Sequence, residues 1–254
     1  MKKLIGVLLA SLLLVACGST TDKVADREYI GVIAAMDEEL EAILDLVEDM
    51  KEVKEGYFTY YVGIIGDKDV VLTKSGVGKS LSAMTTTALI SNFKVSSIIN
   101  IGSAGALQAD IEIGDVVVGE RVAVSDFDLT GFGYVQSFEE ERFTFKGDSK
   151  LIDTMKSLNL DNIHFGDMVS SDTFISSEKH VDNILGNFPT TLCADMEAAS
   201  IAMVLNEFDI QLIVVRAISD NVVETKDNAV EFDEFLKLAS KNSAAMTVKL
   251  IEAL

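Results

Sequence analysis

Tyr29 to Ala35 is an unbroken apolar run, the pattern of a strand buried on both faces. Leu40, Ile43, Leu44 and Val47 then recur at i, i+3, i+4 and i+7, the stripe of an amphipathic helix. Tyr57 to Ile65 and Asp69 to Thr73 are β-rich and are separated by Gly66-Asp67, which predicts a hairpin. Ser75-Gly76-Val77-Gly78-Lys79 leads into a helical stretch carrying Leu81, Met84 and Ala88. Ser97 to Ile101 reads as a buried strand and Val116 to Val124 as another, introduced by Gly114-Asp115. Leu151 to Leu158 predicts a helix, Ile163 to Val169 a strand, and Glu178 to Leu185 a short helix followed by Pro189, the only proline. Met196 to Asn206 predicts a helix and Ile210 to Ile218 the strongest strand. Phe232, Phe235, Leu236, Ala239, Met246 and Leu250 mark a long C-terminal helix. Strands alternate with helices and no linker-like stretch interrupts residues 29–254. The expectation is one α/β domain with a central, largely parallel or mixed sheet flanked by helices.

The first segment has a different character. Lys2 and Lys3 precede the apolar run Leu4 to Ala16, which at 13 residues is too short to cross ~30 Å of hydrocarbon. This is the pattern of a secretory signal. Leu14-Val15-Ala16-Cys17 resembles the lipobox of bacterial lipoproteins. That resemblance implies cleavage after residue 16, lipidation of Cys17, and an exported, membrane-anchored protein. Residues 17–28 then form a lipidated Cys and a polar tether, whose Gly18 to Glu28 stretch reaches up to ~35–40 Å when extended. A plain signal peptide or an uncleaved anchor is the alternative.

Composition narrows the function. With 21 Lys and Arg against 41 Asp and Glu, the net charge is −20, and −22 once residues 1–16 are removed. Such a surface repels polyanions, which excludes nucleic-acid binding as the main role. Two cysteines make no disulfide scaffold, and after processing Cys193 is the sole thiol. His164 and His180 lack ligand-like company, so no metal and no cofactor is expected.

Ligands of open α/β sheets sit beyond the carboxyl ends of strands. Four polar clusters fall there: Met36-Asp37-Glu38-Glu39, Gly102-Ser103-Ala104-Gly105, Asp195-Met196-Glu197-Ala198 and Arg216-Ala217-Ile218-Ser219-Asp220. Each has a structural alternative. Asp37, Glu38 and Glu39 complement a helix macrodipole, Asp195 is a natural N-cap, and Gly102 and Gly105 suit a tight turn. Ser75 to Ser80 imitates a phosphate loop, but that pattern needs glycine where Thr73 stands.

Taken together, Ala34 to Glu39, Ser75 to Lys79, Asn100 to Gly105, Gly114 to Val118, Asp195 to Ala198, Val215 to Asp220 and Phe232 to Leu236 occur in the order seen in the methylthioadenosine/S-adenosylhomocysteine nucleosidases. The chain resembles this family, of the nucleoside phosphorylase superfamily, across essentially residues 29–254. The resemblance implies a nucleoside phosphorylase-like fold and hydrolysis of the N-glycosidic bond of adenine nucleoside thioethers, with 5′-deoxyadenosine as a further substrate. It makes Glu39 the carboxylate that deprotonates the attacking water and Asp220 the acid that protonates N7 of the leaving adenine. Glu197 matches the ligand of the ribose hydroxyls and Met196 the residue under the sugar. Ser103 and Arg216 match positions around water and ribose, Phe174 and Ile175 the wall and backbone contacts of the adenine pocket, and Met36 and Ser219 further lining. Phe132 matches the loop that one subunit lends its neighbour, which implies a homodimer. The family usually has Glu where this chain has Asp195, and the stretch from Asp220 to Phe232 is slightly longer than usual.

The carboxylate pair also has an independent logic. Breaking an N-glycosidic bond creates oxocarbenium character, which a nearby carboxylate stabilises. Adenine leaves best protonated, so the acid must keep its proton near neutrality through burial or a neighbouring negative charge. A purine nucleoside phosphorylase on the same fold is the nearest alternative, and it would need phosphate-binding cations or a free helix N-terminus. The acidic Asp37-Glu38-Glu39 disfavours it. A non-catalytic nucleoside-binding or adhesion lipoprotein is the third.

Overall fold

The computed structural model describes residues 27–223 and 228–254. The signal segment, Cys17 and nearly all of the tether lie outside the described residues. Among the described residues ten strands form one mixed sheet: β1 (Glu28–Ala34), β2 (Glu48–Glu55), β3 (Phe58–Ile65), β4 (Lys68–Lys74), β5 (Lys94–Ala106), β6 (Val116–Val124), β7 (Thr144–Lys146), β8 (Ile163–Ser170), β9 (Thr191–Asp195) and β10 (Gln211–Asn221). Among the described residues six α-helices accompany them: α1 (Asp37–Leu44), α2 (Lys79–Asn92), α3 (Ser149–Ser157), α4 (Glu178–Asn187), α5 (Ala198–Glu207) and α6 (Asn228–Ala253).

The thirteen-residue β5 organises the sheet. It pairs in parallel with β1 along one edge and with β10 along the other. Its last residues, Gly105 and Ala106, pair antiparallel with β9. Because β9 continues through β8 and β6 back to β10, strands β5, β10, β6, β8 and β9 close into a ring. Strands β1, β4, β3 and β2 extend from it as an open wing. The parallel strands β4, β1, β5 and β10 all end on the same side, so the polar clusters after them converge there.

Alternation along β1 sends Tyr29 and Ile33 to one face and Ile30, Val32 and Ala34 to the other. The first face packs on Leu89 of α2 and on Ala198, Ile201 and Leu205 of α5. The second packs on Leu40 and Ile43 of α1, Leu151 and Met155 of α3, and Ala239, Leu250 and Ile251 of α6. Helices thus cover both faces, as the sequence pattern predicts.

Three strands and one helix face depart from the sequence reading; one of the strands is the three-residue β7, which pairs with β6. β2 is almost wholly charged and exposed, and exists through its pairing with β3. β9 is five residues long and absorbs Asp195, so the helix expected from Met196 begins at Ala198. In α2 the expected apolar stripe points outward: Leu81 and Met84 are exposed, while Ser82, Thr85, Thr86 and Leu89 are buried. Ser82 Oγ meets Ser200 Oγ at 2.6 Å, and Thr86 Oγ1 donates to the Ser82 carbonyl, so these polar groups are satisfied inside.

Candidate active site

A cleft of ≈ 290 Å³ opens at the carboxyl ends of the parallel strands, near the low end of the size range of small-ligand sites. Met36, Glu39, Ser103, Phe174, Met196, Glu197, Arg216, Ser219 and Asp220 all line it, joined by Ala35, Val77, Asp195 and Phe232. The four sequence clusters therefore meet in one place. Two expected residues stand apart. Ile175 packs its side chain into a separate apolar cluster and reaches the site only through its carbonyl, which accepts from Asn228. Phe132 does not line the cleft of its own chain; it is 83% exposed on the loop after β6. Cys17 lies outside the described residues.

Of the three acids that open α1, only Glu39 turns inward, and it is 1% exposed. Asp37 pairs with Lys74 at the surface and Glu38 is exposed. Glu39 receives two donors at each oxygen. The Ala35 and Met36 amides donate to Oε2 at 2.9 and 3.0 Å, and the Ser103 amide and hydroxyl donate to Oε1 at 2.9 and 3.0 Å. The bond from Met36, the N-cap residue, is also the return half of a capping box, so helix start and buried carboxylate share one device.

Glycine makes this approach possible. Gly102 does not turn the chain, since β5 runs straight through it. A Cβ there would lie 2.6 Å from Arg216 Nη1 and 2.7 Å from Glu39 Oε1. A Cβ on Gly105 would lie 3.0 Å from Asp220 Oδ2. Both glycines let functional groups close on the strand.

Arg216 is fully buried among acids. Its Nη2 lies 2.6 Å from Asp195 and 3.2 Å from Glu197, and donates to Asn100 Oδ1 at 2.8 Å. The shorter Asp195 thus still reaches the guanidinium, and it also accepts from the Ala198 amide and the Ser170 hydroxyl. Burial disfavours the Arg216 charge, but Asp195, Glu197 and Glu39 more than offset it. One cation among three carboxylates leaves surplus negative charge. Burial pushes Glu197 up to about 7; Arg216 pulls against this, and Asp195 and Glu39 reinforce it. Burial outweighs the ion pair because Arg216 shares its charge with Asp195 at the shorter distance. The Gly78 amide donates to Glu197 Oε1 at 2.9 Å.

Asp220 sits at the end of β10, 1% exposed. Ser219 Oγ donates to its Oδ1 at 2.7 Å and Asn228 Nδ2 to its Oδ2 at 2.8 Å. Burial raises the carboxyl above its ordinary value; the two hydrogen bonds oppose this and nearby Glu231 adds to it. Burial thus raises the acid that is expected to retain its proton, as it also raises Glu197. Phe174 meets Phe232 edge-to-face, centroids 5.7 Å apart, to form an apolar wall.

The loop that imitates a phosphate site is already filled by the chain's own carboxylates. The Gly78 amide serves Glu197, and the Lys79 amide donates to Asp172 at 2.8 Å. Lys79 Nζ pairs with Asp126 and lies 3.8 Å from Asp172, which fastens the loop carrying Phe174 to the start of α2. Sequence reasoning did not single out Val77 and Phe232 of the cleft lining, nor Asn100 and Asn228 behind it. Asn100 stood in a quoted motif but carried no charge to mark it, and Asn228 belongs to the lengthened stretch before Phe232.

Residues 29–252 match the family model described as the phosphorylase superfamily. A 5′-methylthioadenosine/S-adenosylhomocysteine nucleosidase of Oceanobacillus iheyensis is 37% identical over 228 residues, covering 88% of this chain and 98% of its own. The Streptococcus pneumoniae nucleosidase, solved with a transition-state inhibitor, superposes with a TM-score of 0.83 at 33% identity, over 89% of this chain and 99% of that one. A Borrelia burgdorferi structure described as a putative nucleosidase of this kind, bound to adenine, gives 0.84 at 35% identity, over 89% and 100%. With a buried carboxylate at one end of the cleft, a raised carboxyl at the other and relatives that match it nearly end to end, the chain belongs to the methylthioadenosine/S-adenosylhomocysteine nucleosidase family of the phosphorylase superfamily.

Proposed function

We propose that the protein hydrolyses the N-glycosidic bond of methylthioadenosine, S-adenosylhomocysteine and 5′-deoxyadenosine, releasing adenine. The observation that carries this is the opposed setting of two buried carboxyl groups, Glu39 gripped by four donors and Asp220 raised by burial. Purine binds against Phe174 and Phe232, and ribose over Met196 with its hydroxyls on Glu197. As the C1′–N9 bond breaks, Asp220 gives its proton to N7, so the base leaves neutral. Glu39 takes a proton from water as the water oxygen bonds to C1′, and its charge stabilises the oxocarbenium character. Arg216 and Ser103 hold Glu39 and Glu197 in place.

Hydrolysis is favoured over phosphorolysis because, among the described residues, the cation and the helix-start amides beside the cleft already serve the chain's own carboxylates. Arg216 is matched by Asp195 and Glu197, and the amides at the start of α2 already serve Glu197 and Asp172. Purified protein given methylthioadenosine, with and without phosphate, decides the question. Free methylthioribose in both conditions supports the reading. Methylthioribose 1-phosphate would mean a phosphorylase, and no product a binding protein.

The working unit in this reading is a homodimer, with Phe132 lent to the partner's cleft. Its exposure, and that of Val77, Leu81, Met84 and Phe127, supports this. The lipobox-like Leu14-Val15-Ala16-Cys17 supports an exported form anchored through Cys17, so that adenine nucleosides are met outside the cytoplasm.

A further inference from the structure

Asn228 opens α6 and is 2% exposed, yet the reaction as described makes no use of it. Its Nδ2 donates to the Ile175 carbonyl at 2.7 Å and to Asp220 Oδ2 at 2.8 Å. An amide nitrogen carries two hydrogens, so both bonds form together. Asn228 is not part of the cleft wall and reaches the carboxyl from α6. The same helical turn touches the neighbourhood twice more: Glu231 accepts from the Asn221 amide at 3.2 Å, and Phe232 packs on Phe174. On the other side of the carboxyl, Ser219 Oγ lies 2.7 Å from Oδ1 and 3.3 Å from the Ala104 carbonyl.

An N–H can only donate. While Asn228 holds Oδ2 as an acceptor, the hydrogen of the acid belongs on Oδ1. There Ser219 accepts it and turns its own hydrogen to the Ala104 carbonyl. We propose that Asn228 is a positioning residue for the acid: it fixes Oδ2 as the acceptor oxygen, assigns the transferable proton to Oδ1, and ties the carboxyl to the purine wall at Ile175. In the transfer, the O–H bond at Oδ1 breaks and an N–H bond forms at purine N7. The carboxylate left behind keeps one donor on each oxygen, Ser219 on Oδ1 and Asn228 on Oδ2. Without Asn228 that anion is less stabilised, so Asp220 is a weaker acid. The inference rests on Asp220 being the proton donor.

The test compares wild type, Asn228→Ala, the shape-keeping Asn228→Leu, and Asp220→Asn. The substrates are methylthioadenosine and an analogue whose base departs without N7 protonation. The other charged groups around Asp220, namely Glu231 from α6 and Glu39, Asp195, Glu197 and Arg216 across the cleft, are unchanged in the Asn228 variants. Both Asn228 variants should lose roughly tenfold in kcat on methylthioadenosine, the scale of one hydrogen bond to a charged group. The basic limb of kcat/KM should move up by about one pH unit, the same free energy. Turnover of the analogue should hold, and the ratio of the two substrates does not depend on how much of a variant is folded. An unchanged ratio with an unmoved basic limb would overturn the proposal and leave Asn228 a helix-start residue. Asp220→Asn that loses both substrates equally would overturn it differently, by removing Asp220 as the acid.

Discussion

Two carboxyl groups in one cleft stand in different settings because their partners differ. Glu39 is surrounded by donors from the junction between β1 and α1 and from β5, and Asp220 is buried where β10 meets α6. A positioned acid contributes roughly 10²–10⁴-fold, so Asp220→Asn should lower kcat by about that factor while adenine binding falls little. Glu39→Gln should lower kcat as well, since it removes the base and its charge. A substrate whose base leaves without N7 protonation should rescue the first variant and not the second; equal rescue would mean the acid is misassigned. Glu197 gives a separate pH signature. Its carboxyl is raised in the folded chain to about 7. The neutral form is thus the one that folding favours. Its contribution is full below the unfolded value near 4.5 and is lost as pH rises through about 7. At about 1.4 kcal/mol per unit the effect is on the order of 3 kcal/mol, or several degrees in Tm for a chain of this size. Wild-type Tm should fall across that window relative to Glu197→Gln. Parallel curves for the two proteins would remove Glu197 as the titrating group. At this scale the sequence was readable where a residue carries charge. Glu39, Glu197, Arg216 and Asp220 are named by motif, whereas Asn228 is an ordinary amide whose importance comes from two acceptors brought to it by the fold.

Element reading succeeded where the apolar pattern alone decides. β1, β5 and β10 are buried on both faces and announce themselves as apolar runs. β2 could not be found that way. Its alternating charges suit an edge strand that must not recruit another, and only pairing to β3 makes it a strand. In α2 the period is helical but the direction is inverted, because Ser82, Thr85 and Thr86 find partners inside. Periodicity gives the stripe and not the side on which it is buried. The outward Leu81 and Met84 follow directly on Val77, a residue of the cleft, so a partner covering this face would also close the site. Leu81→Glu with Met84→Glu should therefore convert the proposed dimer to monomer in sedimentation, and should lower activity together with it, since Phe132 then has no neighbour's cleft to enter. Wild-type chain that sediments as a monomer at micromolar concentration with full activity would contradict the dimer.

At the scale of the whole molecule, the direction of β1 relates the chain's start to its site. Glu28 begins β1 beside Lys94, at the start of β5, and the cleft lies past the other end of both strands. Seven residues at about 3.3 Å each put ~20 Å of sheet between them. Leu254 lines the same hollow as Glu28, so the C-terminal end of the chain also lies at the far side from the cleft. If Cys17 carries lipid, the tether joins the domain on that far side, and the cleft faces the aqueous compartment from which small nucleosides diffuse. Among the described residues, those that line the cleft all lie beyond position 28, so anchoring and chemistry should be separable. Cys17→Ser should abolish lipid labelling and move the protein from the membrane fraction to the soluble one. Its kcat/KM for methylthioadenosine should equal that of the lipidated protein reconstituted in vesicles, within assay error. Two results would count against this picture, and they differ. Lipid labelling that survives Cys17→Ser would remove the anchor. Labelling lost as expected, but with kcat/KM several-fold higher in the soluble variant than on vesicles, would mean that the membrane obstructs the cleft and that the domain does not stand on the end of its sheet remote from the site.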